Sequence, residues 1–178
     1  MAWRRVCLFE PPRVANLHFG EPHVAALPSG RVVMMLRATL SPYDDADGRN
    51  GMWVSWSDDG GRSWAEAQET PIWGFPPHLC VLADGRLLCS YGHRRRPFGE
   101  RACVSEDGLT WRPEDEVVLR ADANLGDLGY PASAEVSPGR IVTVYYQPDA
   151  ETPPSFRRPP DPERAKPSIW ATTWELRR

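Results

Sequence analysis

The run SWSDDGGRSW (Ser55–Trp64) gathers oxygen donors and glycines from which a cation site, an acid/base pair or a tight turn could be built. A cation site wants several convergent oxygens, usually from a longer acidic loop. In the spacing S-x-D-x-G-x-x-W, carried by Ser57, Asp59, Gly61 and Trp64, each residue has a local job instead. The carboxylate and hydroxyl can accept backbone N–H groups that a turn leaves unpaired. Glycine supplies a positive φ, and tryptophan covers the turn with a large apolar face. SEDGLTW repeats the pattern one residue shorter, with Ser105, Asp107, Gly108 and Trp111. A turn tolerates that shortening better than a coordination shell would, so the reading is two structural turns and no metal site. Cys7, Cys80, Cys89 and Cys103 have no C-x-x-C spacing and no histidines set as zinc partners. A two-residue turn at Asp84-Gly85 would put Cys80 opposite Cys89 in a non-hydrogen-bonded pair, within bridging reach. Reduced, buried thiols are the expected state in a cytoplasmic protein.

The elements that carry these turns repeat. HVAALPSGRVVMMLRA (23–38), PHLCVLADGRLLCSYG (77–92) and YPASAEVSPGRIVTVYY (130–146) are each an apolar strand, a tight turn ending in Gly-Arg, and a second apolar strand. Their turn glycines, Gly30, Gly85 and Gly139, lie 55 and 54 residues apart, a regularity that marks a structural repeat. A further strand follows each hairpin, in GMWVSWS (51–57), RACVSE (101–106) and SIWATTWEL (168–176), and the first two run straight into the aspartate turns. Strands such as VVMML (32–36) are apolar at every position, so both faces must be covered. Small sheets stacked face to face around an axis meet that need, which predicts an all-β chain of propeller blades. The units expected are approximately 18–66, 74–113 and 128–176. Seven prolines between Pro148 and Pro167 interrupt the third and read as an extended surface loop.

Composition narrows the partners. A net charge of −3 gives no electrostatic case for nucleic acid or an anionic membrane surface. Twenty arginines against one lysine make the clusters at 94–96, 157–158 and 177–178 read as solvated faces. No apolar run approaches the ~20 residues of a membrane span. MAWRRVCLFEPPR meets Arg and Pro too soon for a secretory signal, so the chain as written is expected in the cytoplasm, with secretion the alternative if a leader lies upstream.

With SDDGGRSW as a full Asp-box (BNR repeat) and SEDGLTW as a shortened one, the chain resembles the sialidase (neuraminidase) superfamily over nearly its whole length. The resemblance implies a six-bladed propeller with four-stranded blades, of which about three are present. It implies peripheral Asp boxes, no cofactor, and an exo-α-sialidase type of hydrolysis of a terminal acidic sugar. There an arginine clamp holds the carboxylate, a tyrosine attacks with help from a glutamate, and an aspartate is the acid/base. The stretch GEPHVAALPSGRVVMMLRA maps Glu21 and Arg37, FGERACVSEDG maps Arg101, and LGYPASAEV maps Tyr130, with Pro131 where serine is usual. Glu21 would ease removal of the Tyr130 proton, since a free phenol (pKa about 10) is a poor nucleophile at neutral pH. Arg37 and Arg101 would offer bidentate donors to a carboxylate.

Departures from that pattern shape the alternatives. An Arg-Ile-Pro motif and a counterpart of the acid/base aspartate are absent from the sequence. A half propeller would expose two blade faces, which a second copy or further N-terminal blades would cover. His78, Tyr91 and His93 on the second hairpin are candidates to line the same cleft, as structural residues or as substrate contacts. A His/Tyr/Arg cleft of that kind would suit a polysaccharide lyase, with tyrosine as acid and histidine as base. A non-catalytic, glycan-binding propeller segment is the third expectation.

Overall fold

The computed structural model describes residues 6–40, 50–148 and 167–176. The proline-rich stretch between Pro148 and Pro167 and the Arg157-Arg158 and Arg177-Arg178 clusters lie outside them. Eleven strands form three antiparallel sheets, and no α-helix occurs among the described residues. The first sheet runs β1 (Leu17–Ala26), β2 (Val32–Leu40), β3 (Gly51–Ser57), β4 (Gln68–Glu69) in neighbour order. The second repeats it with β5 (Pro77–Val81), β6 (Leu87–His93), β7 (Gly99–Ser105) and β8 (Val117–Val118). The third holds β9 (Gly129–Ser137), β10 (Arg140–Pro148) and β11 (Pro167–Glu175), three described strands where four were expected.

The sheets stack with their first strands side by side, β1 against β5 and β5 against β9, as propeller blades do. Between sheets one and two, Val33, Met35, Met52 and Val54 meet Leu79, Leu87, Cys89, Tyr91 and Cys103. Between sheets two and three, Leu88 and Ala102 meet Ile141, with Trp174 and Val104 packed alongside. Sheet two is therefore covered on both faces, which is why Leu87–Tyr91 is buried at every position. Two imidazoles tie the seams. His23 Nδ1 accepts the Leu79 N–H at 3.1 Å, and His78 Nδ1 accepts the Ser133 N–H at 3.2 Å.

Two expectations need correction. The turn between β5 and β6 is three residues, Ala83-Asp84-Gly85, closed by the Leu82 N–H on the Arg86 carbonyl at 2.8 Å. Gly85 (φ +91°) absorbs the extra residue, so Cys80 pairs with Leu88 and Cys89 with Leu79. One residue of register turns alternate side chains to opposite faces, and all four cysteines are free thiols. Nor are both end faces bare. On sheet one, Met34 and Leu36 are buried by Phe9, Phe19, Trp53 and Trp64. On sheet three Val136, Val144 and Ile169 stay exposed.

Candidate functional site

The two ends of the stack do different work. Val32 pairs with Ser57 and Leu87 with Ser105, so the S-x-D turns sit at the end of the sheets where the hairpins turn. There the Asp59 carboxylate accepts the N–H groups of Arg62 (2.8 Å) and Ser63 (2.9 Å), and Ser57 Oγ accepts that of Gly61 (2.9 Å). Asp107 accepts Leu109 (2.8 Å) and Thr110 (2.7 Å), and Ser105 Oγ accepts Gly108 (2.9 Å). Trp111 is buried in the first seam, and Trp64 stacks edge-on against Phe9. These hydrogen bonds hold both carboxyls below the usual aspartate range, Asp107 at about 2 in spite of some burial. No group of three metal-ligating side chains occurs among the described residues. A surface cavity of about 750 Å³ also lies at this end, lined by Arg86, Glu106, Asp107, Thr110, Arg112 and Glu175. Asp107 and Arg86 are both spent on local bonds there.

At the opposite end a Gly-x-Pro triplet recurs: Gly20-Glu21-Pro22 within β1, Gly74-Phe75-Pro76 just before β5, and Gly129-Tyr130-Pro131 opening β9. Glu21 and Tyr130 take positive φ, +48° and +49°, in the left-handed region that costs a non-glycine residue about 1–3 kcal/mol. The following proline has no N–H to lose where the ladder is interrupted, and β1 shifts register between Gly20 and His23. A Cβ on Gly92 would stand 2.9 Å from Gly129 Cα, so sheets two and three close up here only because glycines face each other.

The three triplets place their middle residues together. Tyr130 donates its hydroxyl proton to Glu21 Oε1, and Arg37 Nη1 donates to Glu21 Oε2 at 2.9 Å. Buried Phe75 lies beneath, with the Arg37 guanidinium 4.4 Å and the Arg94 guanidinium 5.5 Å from its ring centre. Arg94 is held by Nε and Nη2 on the Leu128 carbonyl, at 3.1 and 2.8 Å, and lies 6.0 Å from the Tyr130 ring centre. Tyr146 packs 5.9 Å from Tyr130 and donates its hydroxyl to Asp127. Burial acts to raise the Glu21 pKa, but the bonds from Tyr130 and Arg37 and the charges of Arg37 and Arg94 outweigh it, and the net shift is downward. The same bond to Glu21 raises the Tyr130 phenol. Glu21 is thus an anion at neutral pH holding the proton of a neutral, half-exposed phenol. That arrangement can receive the proton when the phenol oxygen attacks an electrophile.

The remaining residues singled out in the sequence sit elsewhere. Arg101 is buried in sheet two, its Nη1 on the Arg120 carbonyl at 2.9 Å and its Nε 3.2 Å from Glu116. Tyr91, also buried, donates to the same Glu116, and burial followed by that bond raises its pKa. His78 spends Nδ1 on Ser133 and stacks 4.5 Å from His23; burial, then the neighbouring imidazole, lowers its pKa to about 4. His93 Nδ1 lies 3.2 Å from the Pro97 carbonyl, with its ring edge-on to Trp73. Arg94, Phe75, Tyr146 and Asp127 were not singled out for the cleft. The Gly-x-Pro triplet, recurring after 54 and 55 residues, is the sequence signal that marks Phe75 and aligns it with Glu21 and Tyr130.

Neither a protein-family profile nor a curated protein sequence matches the chain. Solved structures do. A protein of unknown function from Dyadobacter fermentans aligns with a TM-score of 0.70 at 28% identity, over 93% of this chain and 40% of its own. The GH93 α-L-arabinofuranosidase of Fusarium graminearum, solved with arabinobiose, aligns with a TM-score of 0.57 at 16% identity, over 85% of this chain and 45% of its own. The chain spans under half the length of these structures, and at such identity the second likeness is one of fold: an all-β stack of antiparallel sheets like that of a propeller glycosidase.

Proposed function

We propose that the chain carries the nucleophile side of a glycosidase site on a six-bladed, sialidase-type propeller, and that its substrate is a terminal acidic sugar. The observation that supports this reading is the hydrogen bond from Tyr130 to ionised Glu21, made across 109 residues of chain and two strained backbone positions. A neutral phenol suits a reacting carbon that carries a carboxylate, because an anionic nucleophile would be repelled; sialidases are the tyrosine exception among glycosidases. Arg37 and Arg94 flank the pair and supply positive charge for the sugar carboxylate. Arg94 takes the clamp role that the sequence resemblance gave to Arg101. The arabinofuranosidase neighbour is a glycosidase and supports hydrolysis of a glycosidic bond, not the choice of sugar. A lyase is less well supported, since His78 and Tyr91 each hold a structural bond.

The test is turnover of a 4-methylumbelliferyl sialoside beside the matching arabinofuranoside. Release from the sialoside, lost in Tyr130→Phe while binding persists, is the expected result. Release from the arabinoside alone would overturn the acidic-sugar assignment, and release from neither would overturn catalysis by this chain.

A further inference from the structure

Equal distances from Gly30, Gly85 and Gly139 mark equivalent places in the three hairpins. Val33 and Met35 correspond to Leu88 and Ser90, and these to Val142 and Val144. In sheets one and two this face is covered by the next sheet, with Val33, Met35 and Met52 in the first seam and Leu82 and Leu88 in the second. In sheet three Val136, the counterpart of Leu82, and Val144 stay 58% and 40% exposed. Ile169 lies opposite Tyr146 as Met52 lies opposite Arg37, yet it is 78% exposed. The edge of this sheet is open as well. β3 pairs with β4 and β7 with β8, whereas β11 has β10 as its one ladder partner among the described residues. An unpaired edge beside a bare apolar face is a place for strand addition.

Residues 6–9, Val-Cys-Leu-Phe, are apolar at four successive positions. Cys7 Sγ donates to the Gly61 carbonyl at 3.3 Å and Phe9 packs with Met34, Leu36 and Trp64 of sheet one, while Val6 and Leu8 are exposed. β8 stands in the same relation to sheet three. Val117 pairs with Ala102 of sheet two and joins the seam to which sheet three brings Trp174 and Leu176. Leu8 and Phe9 precede Gly20 by 12 and 11 residues, as Val117 and Val118 precede Gly129. The segment therefore lies where the fourth strand of a preceding sheet belongs. Sheet one also leaves Val24 exposed, where its counterparts Leu79 and Ser133 are buried.

We infer that two copies of this chain close on each other about a two-fold axis. Sheet three of each copy packs its outer face on sheet one of the other, whose residues 6–9 pair with β11 as a fourth strand. What one copy lacks at sheet three is what a second copy offers at sheet one. The contact is head to tail and occurs twice, so it closes a ring of six sheets and forms no filament. The chain spans 40% and 45% of the two solved structures it resembles in fold, so two copies make up most of such a length. The pairing of β7 with β8 sets the register: Leu8 opposite Ala171 and Phe9 opposite Trp170. The inference stands apart from the chemistry proposed for Tyr130.

Sedimentation equilibrium should give twice the mass of the chain. Val144→Asp and Ile169→Lys, both at exposed places, should each halve that mass with circular dichroism unchanged. Val118→Asp, on the free edge of sheet two, should leave it as it is. In a Cys7→Ser background, Leu8→Cys with Ala171→Cys should give a disulfide-linked dimer on oxidation, since ladder partners lie within bridging reach. Sheet two stands between the two positions within one copy, so the bridge joins two copies. A chain that sediments as one copy at every concentration would overturn the inference, as would a dimer that both charge substitutions leave intact. A dimer that they dissociate but the cysteine pair does not cross-link would overturn the added strand.

Discussion

Glu21 and Tyr130 occupy the same place in the first and third sheets. Each follows a glycine, precedes a proline and adopts a positive φ, and their side chains meet in one hydrogen bond. Neither residue could be placed by its own strand. Glu21 is ionised because its pKa is lowered, so turnover should hold at neutral pH and fail as pH drops through that lowered value, when the carboxyl can no longer accept the Tyr130 proton.

Arg94 and Arg101 should separate cleanly. Arg94→Ala removes a cation held at the cleft by a backbone carbonyl. It should raise KM for the acidic glycoside about 10–100-fold, the value of a charged hydrogen bond, with thermal stability little changed. Arg101→Ala strips the buried partner from Glu116. A loss of about 3 kcal/mol in denaturant unfolding is expected, with KM of the folded fraction unchanged.

Gly92→Ala tests the close approach of sheets two and three. The new Cβ would meet Gly129 Cα at 2.9 Å, the Phe75 carbonyl at 3.1 Å and Leu128 Cδ1 at 3.2 Å. Overpacking should cost about 1–3 kcal/mol and lower kcat by moving Tyr130. Gly20→Ala is the control. Its Cβ would meet nothing within 4 Å, and chemical denaturation should show little change.

The imidazole ties give stability a pH dependence. His78 titrates near 4 when folded, below its ordinary 6.5. The unfolded chain therefore binds the extra proton between those values, so stability is complete above about 6.5 and falls as pH drops toward 4. His78→Asn keeps an acceptor for the Ser133 N–H without a titrating group. Melting temperature followed from pH 7 to 4 should fall less steeply in this variant than in wild type.

Asp107→Ala should leave turnover intact and cost about 1–2 kcal/mol, since its carboxylate holds two N–H groups and two hydroxyls, those of Ser105 and Thr110. The contribution from its lowered pKa is present above about 4 and fades as pH falls toward 2. Unfolding at pH 7 and pH 3, with the aryl sialoside assay alongside, checks both halves.

The hairpins and their faces were legible in the sequence because turn chemistry and strand alternation are local. Gly30, Gly85 and Gly139 all have positive φ at hairpin turns, and Leu87–Tyr91 is buried throughout, as an apolar run between two seams requires. The Cys80–Cys89 pairing failed over one residue of turn length, which spacing alone does not resolve. Glu21, Arg37 and Tyr130 came from a family pattern and are joined by hydrogen bonds. Arg94 was hidden within Arg94-Arg95-Arg96, a run that looks solvated until Leu128, 34 residues on, folds back to bind its guanidinium. The partner of Arg101 was not legible, because Glu116, against which it is buried, arrives from beyond the next turn.

The three Gly-x-Pro triplets have a meaning beyond the hydrogen bond between Glu21 and Tyr130. Glycine and proline set the backbone, while the middle position carries a carboxylate, a phenyl ring and a phenol in turn. At the first and third of these places the middle residue is held at a positive φ and reaches across to its counterpart; at the second it is a buried ring on which both arginines rest. One sequence motif thus serves two different ends, a polar bridge and the apolar floor beneath it.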